Sequence, residues 1–253
     1  MPTVLMFTLQ APIAAMGDLA VGERRYGADR LAKSAVLGLL AAALGIDRSD
    51  EQVHATLARD YGCAVRLVRG SFAIADYHTV QVPPARKGRR WATRRDELEE
   101  PDLGTTVTQR EYRGDVHSVV ALWGRSGEPL RFSLSALERA LRTPVFTLYF
   151  GRKSCPLGRP PFPMVLDAAT LADAFAAYES ADKAKRLGRG AAPDGPIYAD
   201  VDARSWLGEA VRDDRIISRR DAILSRRRWQ FGLRQEVAAV ATGGTSGKQG
   251  GGG

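Results

Sequence analysis

A glycine followed by two cations and a hydroxyl, in Gly151-Arg-Lys-Ser-Cys-Pro-Leu-Gly158, is a set of groups suited to a phosphate. Gly151 permits a tight turn that aims backbone N–H groups outward, and Arg152, Lys153 and Ser154 place charge and a hydroxyl beside them. The plainer alternative for such a turn is a solvated basic loop. Six strand-forming residues at 145–150, Val-Phe-Thr-Leu-Tyr-Phe, lead into it and predict the strand that carries it, while Pro156 and Gly158 end regular structure.

A second kind of chemistry is metal-independent RNA cleavage. It needs a base for the 2′-hydroxyl proton, an acid for the leaving oxygen and a cation for the developing charge. Tyr77, His78, His117, Lys33 and Lys153 are of the right types, but the chain has only three histidines, and His54 and His117 read most simply as helix-surface and strand residues. The carboxylates at 96–102 form a charge run that no histidine joins, so no metal cluster is expected. Gly151-Arg-Lys-Ser is similar to the end of a Walker A loop, but Phe146 stands where the earlier glycine is required, and no cofactor motif is found. Cys63 and Cys155 lie far apart and support neither a disulfide framework nor a zinc site, which fits a reducing, cytoplasmic setting.

The balance of 37 Lys plus Arg against 29 Asp plus Glu leaves a net charge of +8 on 253 residues, which favours polyanions without fixing a fold. The clustering says more than the total. Arg86, Lys87, Arg89, Arg90, Arg94 and Arg95 surround Trp91, with the acidic run behind them, and seven arginines lie between Arg212 and Arg228. With 44% hydrophobic residues the chain can bury a core. No apolar run approaches the roughly 18 residues a membrane-spanning helix needs. Residues 1–9 lack the cationic flank and small-residue cleavage site of a secretory signal, so none is expected.

The elements that must position these groups follow from periodicity. Val4, Leu5, Met6, Phe7 and Leu9 predict a strand that stops before Pro12, and the glycine-bearing, charged residues 17–30, with Arg24, predict a loop. Leu37, Leu40, Ala41 and Leu44 recur at helical spacing over 33–44, with Gly45 as the stop and Lys33 and Ser34 in the first turn. A lysine there opposes the helix dipole unless an anion sits between them. Ser49 with Gln52 and Ser135 with Glu138 match capping boxes, for helices over about 50–61 and up to Arg142. Residues 64–68 and 116–123 read as strands. The proline-bearing stretch 71–115 between them is too long for a structureless loop and predicts an inserted, projecting hairpin or a functional loop. Beyond it, 166–178 reads as helix, 181–195 as a basic linker, and Trp229, Phe231 and Leu233 alternate as a late strand. The glycine-rich residues 243–253 are expected to be disordered. Strand, helix, strand, insertion, strand, helix, strand is the order of an α+β, ferredoxin-like split βαβ sheet with its helices on one face.

Several blocks in this order carry a resemblance. Leu9-Gln-Ala-Pro-Ile-Ala-Ala-Met-Gly17, Lys33-Ser-Ala-Val-Leu-Gly-Leu-Leu-Ala-Ala-Ala-Leu-Gly45, Asp76-Tyr-His-Thr79, Thr108-Gln-Arg-Glu-Tyr-Arg-Gly-Asp115 and residues 151–158 resemble the CasD family of subunits of the type I-E CRISPR surveillance complex, Cascade, within the RAMP superfamily. The resemblance covers about two thirds of the chain and fades past Phe162. It implies a RAMP domain over 1–150 with a thumb insertion at about 76–115, then the glycine-bearing basic loop and an irregular C-terminal region over 151–242. It also implies a subunit that caps the five-prime handle of the CRISPR RNA, meets the backbone subunit through its thumb, and supports the large subunit and target DNA recognition in antiviral defence.

On that resemblance the RNA contacts are expected at Arg24, Lys33, Ser34, Arg110, Tyr112, Gly151, Arg152, Lys153 and Ser154, with Arg110 and Tyr112 bracketing a nucleotide or pairing within the hairpin. The thumb would carry Tyr77, His78, Arg86, Lys87, Arg89, Arg90, Trp91, Arg94 and Arg95. Lys33 and Lys153 would converge on one backbone. No catalytic residue, metal, cofactor or membrane partner is expected. Some relatives of the type I-C kind cleave the CRISPR repeat with Tyr, Lys and His, so a repeat endoribonuclease on the same fold is the alternative.

Overall fold

A computed structural model describes residues 1–17, 22–69, 71–85, 87–125, 129–185, 195–209 and 211–241. Arg86, the 186–194 part of the expected linker and the glycine-rich 243–253 segment lie outside the described residues.

The first strand, β1 (Thr3–Ala14), runs straight through Pro12 instead of stopping before it. Thr8 N–H donates to Pro161 O and Gln10 O accepts from Gly158 N–H, so the even-numbered backbone groups of β1 face the 158–161 segment. Pro12 shares that parity, and its missing N–H removes no bond to the strand on the other side. That strand is β5 (Gly104–Gly124), antiparallel to β1 from Val4 opposite Trp123 to Ala14 opposite Arg113. Between them in sequence come β2 (Arg24–Arg25), α1 (Lys33–Leu44), α2 (Glu51–Asp60), β3 (Tyr61–Arg69), β4 (Phe72–Val82) and α3 (Arg94–Leu98). After β5 follow α4 (Leu134–Arg142), β6 (Met164–Asp167), α5 (Leu171–Lys185), β7 (Ile197–Asp200), a 3-10 turn (Val201–Trp206), β8 (Val211–Ser225) and β9 (Gln230–Ala241).

These strands form one nine-stranded sheet among the described residues, in the order β6-β1-β5-β3-β7-β9-β8, with β2 and β4 paired to the outer half of β5. Every pairing is antiparallel except the two-residue contact of β2 with β5. Both faces are covered. Leu5, Phe7 and Leu9 point into a core shared with α1, α2 and α4, while Val4 and Met6 point into a second core under α5 and the 3-10 turn. A strand buried on both sides must be apolar at consecutive positions, as β1 is. The expectation of helices on one face is therefore corrected by α5.

Three further expectations are corrected. The C-terminal region is not irregular: β7 adds to the free edge of β3, and the β8–β9 hairpin extends the same sheet. The helix caps are Asp50 and Ser133, whose side chains accept from Val53 N–H and Ala136 N–H, one residue later and two residues earlier than the serines read from sequence. Residues 145–150 form no strand. Val145 and Phe146 N–H donate to Ala43 O and Ala42 O at 3.0 and 3.1 Å, satisfying carbonyls at the end of α1, and the edge of β1 is taken by β6.

Candidate nucleic-acid interface

Without a strand beneath it, the 151–158 loop needs another support, and the end of β1 supplies it. Phe150 O accepts from Ala15 N–H at 3.0 Å, Gly158 N–H reaches Gln10 O, and Cys155, fully buried, closes a turn through Phe150 N–H to its own carbonyl and its N–H to Arg152 O. Gly151 has φ +91°, and a Cβ there would lie 1.8 Å from Ala15 O, so glycine alone allows this approach. The backbone N–H groups of Arg152, Lys153 and Ser154 meet no acceptor among the described residues. Three successive donors without a protein acceptor, beside two cations, are the groups that anion binding by a backbone loop requires.

Arg152 lies over the Tyr112 ring, its guanidinium carbon 4.7 Å from the centroid, and one of its terminal nitrogens has no hydrogen-bond partner. Tyr112 is 8% exposed. The nucleotide bracket expected from Arg110 and Tyr112 is thus occupied by the protein's own arginine. Arg110 shares the face of β5 with Tyr112 and stands opposite Asp76 of β4.

The loop forms one wall of a groove of about 1010 Å3 whose other wall is the β8–β9 hairpin. Arg152, Arg219, Arg220 and Arg226 line it together with Tyr149, Trp229 and Phe231, and Ser34 lies on its floor. Cations for phosphates and flat side chains for unstacked bases are what a single-stranded nucleic acid requires. No motif marks the hairpin residues in the sequence. Their only signals are the arginine cluster before Arg228 and the alternation of Trp229 and Phe231, which read separately as charge and as strand.

Lys33 is placed otherwise than expected. It is 6% exposed, its Nζ lies 2.5 Å from Asp200 Oδ2 and donates to Tyr61 O, and its backbone N–H donates to Asp221 Oδ2 at 2.8 Å. The anion at the start of α1 is thus a protein carboxylate. Asp200 also accepts from Arg125 and Arg234 at 2.7 and 2.8 Å, and Arg234 extends the network to Asp221 and Glu236. Burial pulls the Arg234 pKa down, but the hydrogen bonds and charge of Asp221, with Asp200 and Glu236, outweigh it and hold the group above its ordinary value. Burial, then the Asp200 charge, pushes the neighbouring Cys63 thiol up to about 12, so it stays protonated and unreactive. The network ties α1 to the C-terminal hairpin and leaves Lys33 no free charge to share with Lys153.

The residues expected as a thumb form the long β4–β5 hairpin, with α3 between its two strands. Its basic cluster is largely neutralised by the acidic run: Arg89 pairs with Glu100, Arg94 with Glu97 and Arg95 with Glu99, while Arg89 covers Trp91. Lys87 and Arg90 are exposed and have no ion-pair partner among the described residues. Arg24, on β2, is exposed, and its hydrogen bond to Tyr26, then the charge of Tyr26, raises its pKa. Tyr77 and His78 are neighbours on β4 and project from opposite faces. His78 Nε2 lies 2.6 Å from Asp76, and His117 is buried with Nε2 2.8 Å from Thr8 Oγ1.

The family model for CRISPR-associated protein (Cas_Cas5) matches residues 4–236. The CRISPR system Cascade subunit CasD of Escherichia coli (strain K12) is 32% identical over 187 residues, which cover 71% of this chain and 78% of that protein. Two solved structures share the fold. One is a CRISPR RNA-guided surveillance complex chain, with TM-score 0.59 at 19% identity over 94% of this chain and 90% of that one. The other is described as a Cas protein, with TM-score 0.60 at 24% identity over 94% of each chain.

Proposed function

The chain belongs to the CRISPR-associated Cas5 family, and from that premise we propose that it is a non-catalytic, RNA-binding subunit of a Cascade surveillance complex that caps the five-prime handle of the guide RNA. The observation that carries this reading is the groove in which Gly151 and Arg152 of the loop face the arginines and aromatic rings of the β8–β9 hairpin. The loop takes phosphates through its N–H groups and Arg152 and Lys153, and the facing hairpin takes bases.

The ferredoxin-like RAMP reading is supported by the order β6-β1-β5-β3, in which the four strands of a split βαβ arrangement lie antiparallel with the third beside the first. Strands β7, β9 and β8 then extend that sheet beyond β3. The thumb at 76–115, with Val80 and Val82 of β4 and Val107 of β5 exposed, is the surface for the adjacent backbone subunit. The large subunit and the target DNA are engaged through the assembled complex. Among the described residues no helix is long and apolar enough to cross a membrane.

The endoribonuclease alternative finds no assembled site. Its cation Lys33 is buried in an ion network, His117 is bonded inside the sheet, and Tyr77 and His78 face opposite ways. The deciding experiment is anisotropy of labelled handle RNA with the full chain over a salt series. Binding tighter than to a scrambled RNA is expected, with a slope that flattens by about 0.7 for each phosphate that Arg152→Ala plus Lys153→Ala leaves without its cation. An unchanged slope in that variant defeats the phosphate role of the loop.

A further inference from the structure

At the far end of the groove the turn between β8 and β9 carries the feature through which the hairpin would hold a single nucleotide. Trp229 closes this turn with φ +53°, a left-handed conformation in which glycine is the favoured residue, and its indole is 56% exposed. A bulky residue held there keeps a large apolar ring in water at a cost to the backbone.

Two arginines attend the ring: Arg226 with its guanidinium carbon 4.8 Å from the ring centroid, and Arg48 at 5.6 Å. Neither forms an ion pair among the described residues, and Arg226 Nε has no hydrogen-bond partner. Burial, then the charge of Arg48, pushes the Arg226 pKa down, so the two cations repel one another. The geometry is nonetheless built. Glu51, at the start of α2, accepts from Ser225 Oγ, Arg226 N–H and Arg227 N–H at 2.7, 3.2 and 2.8 Å and so fixes the turn. Arg226 lies on α1 at Gly38, where an added Cβ would be 2.5 Å from its terminal nitrogen.

We propose that Arg48, Arg226 and Trp229 form a nucleotide site for single-stranded RNA, in which the paired guanidiniums take one backbone phosphate and the indole stacks the adjacent unpaired base. The inference rests on the RNA reading of the groove, which Arg226 and Trp229 line together with Gly151 and Arg152. An anion between the two arginines removes their repulsion, and every base offers a face to the ring, so the site holds an RNA end without reading its sequence. An acidic protein segment would satisfy the arginines but gives no reason for the strained, exposed indole.

The test uses the full chain and a short single-stranded handle RNA, with anisotropy over a salt series and thermal melts for each variant. Arg48→Gln is expected to flatten the salt slope by about 0.7. Trp229→Gly is expected to weaken binding on the order of tenfold while the melting temperature holds or rises, because glycine fits that backbone; Trp229→Phe keeps most of the affinity. If Arg152→Ala plus Lys153→Ala loses affinity while Arg48→Gln and Trp229→Gly bind as wild type, the nucleotide site is overturned and handle binding by the loop stands. If wild type itself fails to bind the RNA, both readings fall. Should Arg48→Gln and Trp229→Gly keep full RNA affinity but lose assembly with the other subunits, the surface is a protein dock and the RNA assignment is overturned.

Discussion

Arg152 covers the ring of Tyr112, joining the 151–158 loop to the β4–β5 hairpin across 4.7 Å. The cation is thereby held in place by an aromatic face, and no ion pair among the described residues neutralises it; one terminal nitrogen is buried without a hydrogen-bond partner. Contacts of this kind are worth about 0.5–2 kcal/mol. Tyr112→Phe should leave handle RNA affinity within about twofold of wild type, whereas Tyr112→Leu, which fills the core but offers no ring, should weaken it by roughly three- to tenfold at constant fold. Equal affinities for Phe and Leu in a filter-binding titration would show that the stacking does not position Arg152.

Lys33 separates a structural from an RNA role. Lys33→Met leaves the Asp200 carboxylate buried with one partner fewer, and breaking a buried pair costs about 3–5 kcal/mol. Arg125 and Arg234 still bind Asp200, so a loss near about 3 kcal/mol is expected in urea unfolding, with a handle affinity per folded molecule close to wild type. A variant that unfolds normally but loses RNA would reverse this assignment.

Gly151→Ala should disable the loop. An L-residue in the left-handed region costs about 1–2 kcal/mol, and the new methyl would collide with Ala15 O at 1.8 Å, so the loop must leave the end of β1. Loss of handle binding together with exchange protection lost at Ala15 N–H, which donates to Phe150 O, is the expected pair of results. Retained binding would mean that the loop's conformation is not what the RNA reads.

His54 makes stability depend on pH. It is 3% exposed with Nδ1 unpartnered, and burial lowers its pKa below the ordinary 6.5. The folded chain therefore binds fewer protons than the unfolded chain mainly between the lowered value and about pH 6.5. The His54 contribution is whole above that pH and is lost as pH falls through the lowered value. Urea midpoints of wild type should drop from pH 7.5 to 5.5 more steeply than those of His54→Gln. Parallel slopes would assign the dependence to other groups.

Catalysis is tested with repeat RNA in EDTA. No site-specific product is expected from the full chain, because Tyr77 and His78 project from opposite faces of β4. Discrete fragments that vanish in His78→Ala would establish the endoribonuclease reading instead.

The chain's local signals were legible where one element decides its own limits. The first helix runs from Lys33 to Leu44 and stops at Gly45, which takes φ +76°, as its spacing and stop residue dictate. Capping was displaced by one or two residues because Ser49, Asp50, Ser133 and Ser135 are all competent caps and only the direction of the entering backbone chooses among them. The apolar run at 145–150 has strand composition, yet its donors are consumed by the last carbonyls of α1, a partner that no local pattern reveals.

Residue type and order were enough for the family blocks, for a long insertion between two strands, for the glycine that the 151–158 loop requires and for the excess of arginine that favours a polyanion. The tertiary structure alone decided which cations are free to act. Lys33 and Arg234 are spent on buried carboxylates and Arg89, Arg94 and Arg95 on neighbouring glutamates, whereas Arg152, Arg226 and Arg48 form no ion pair among the described residues. Charge is set by sequence, but its availability depends on what the fold brings within a few ångströms, and here β7–β9 placed acids against α1 and left the groove cationic.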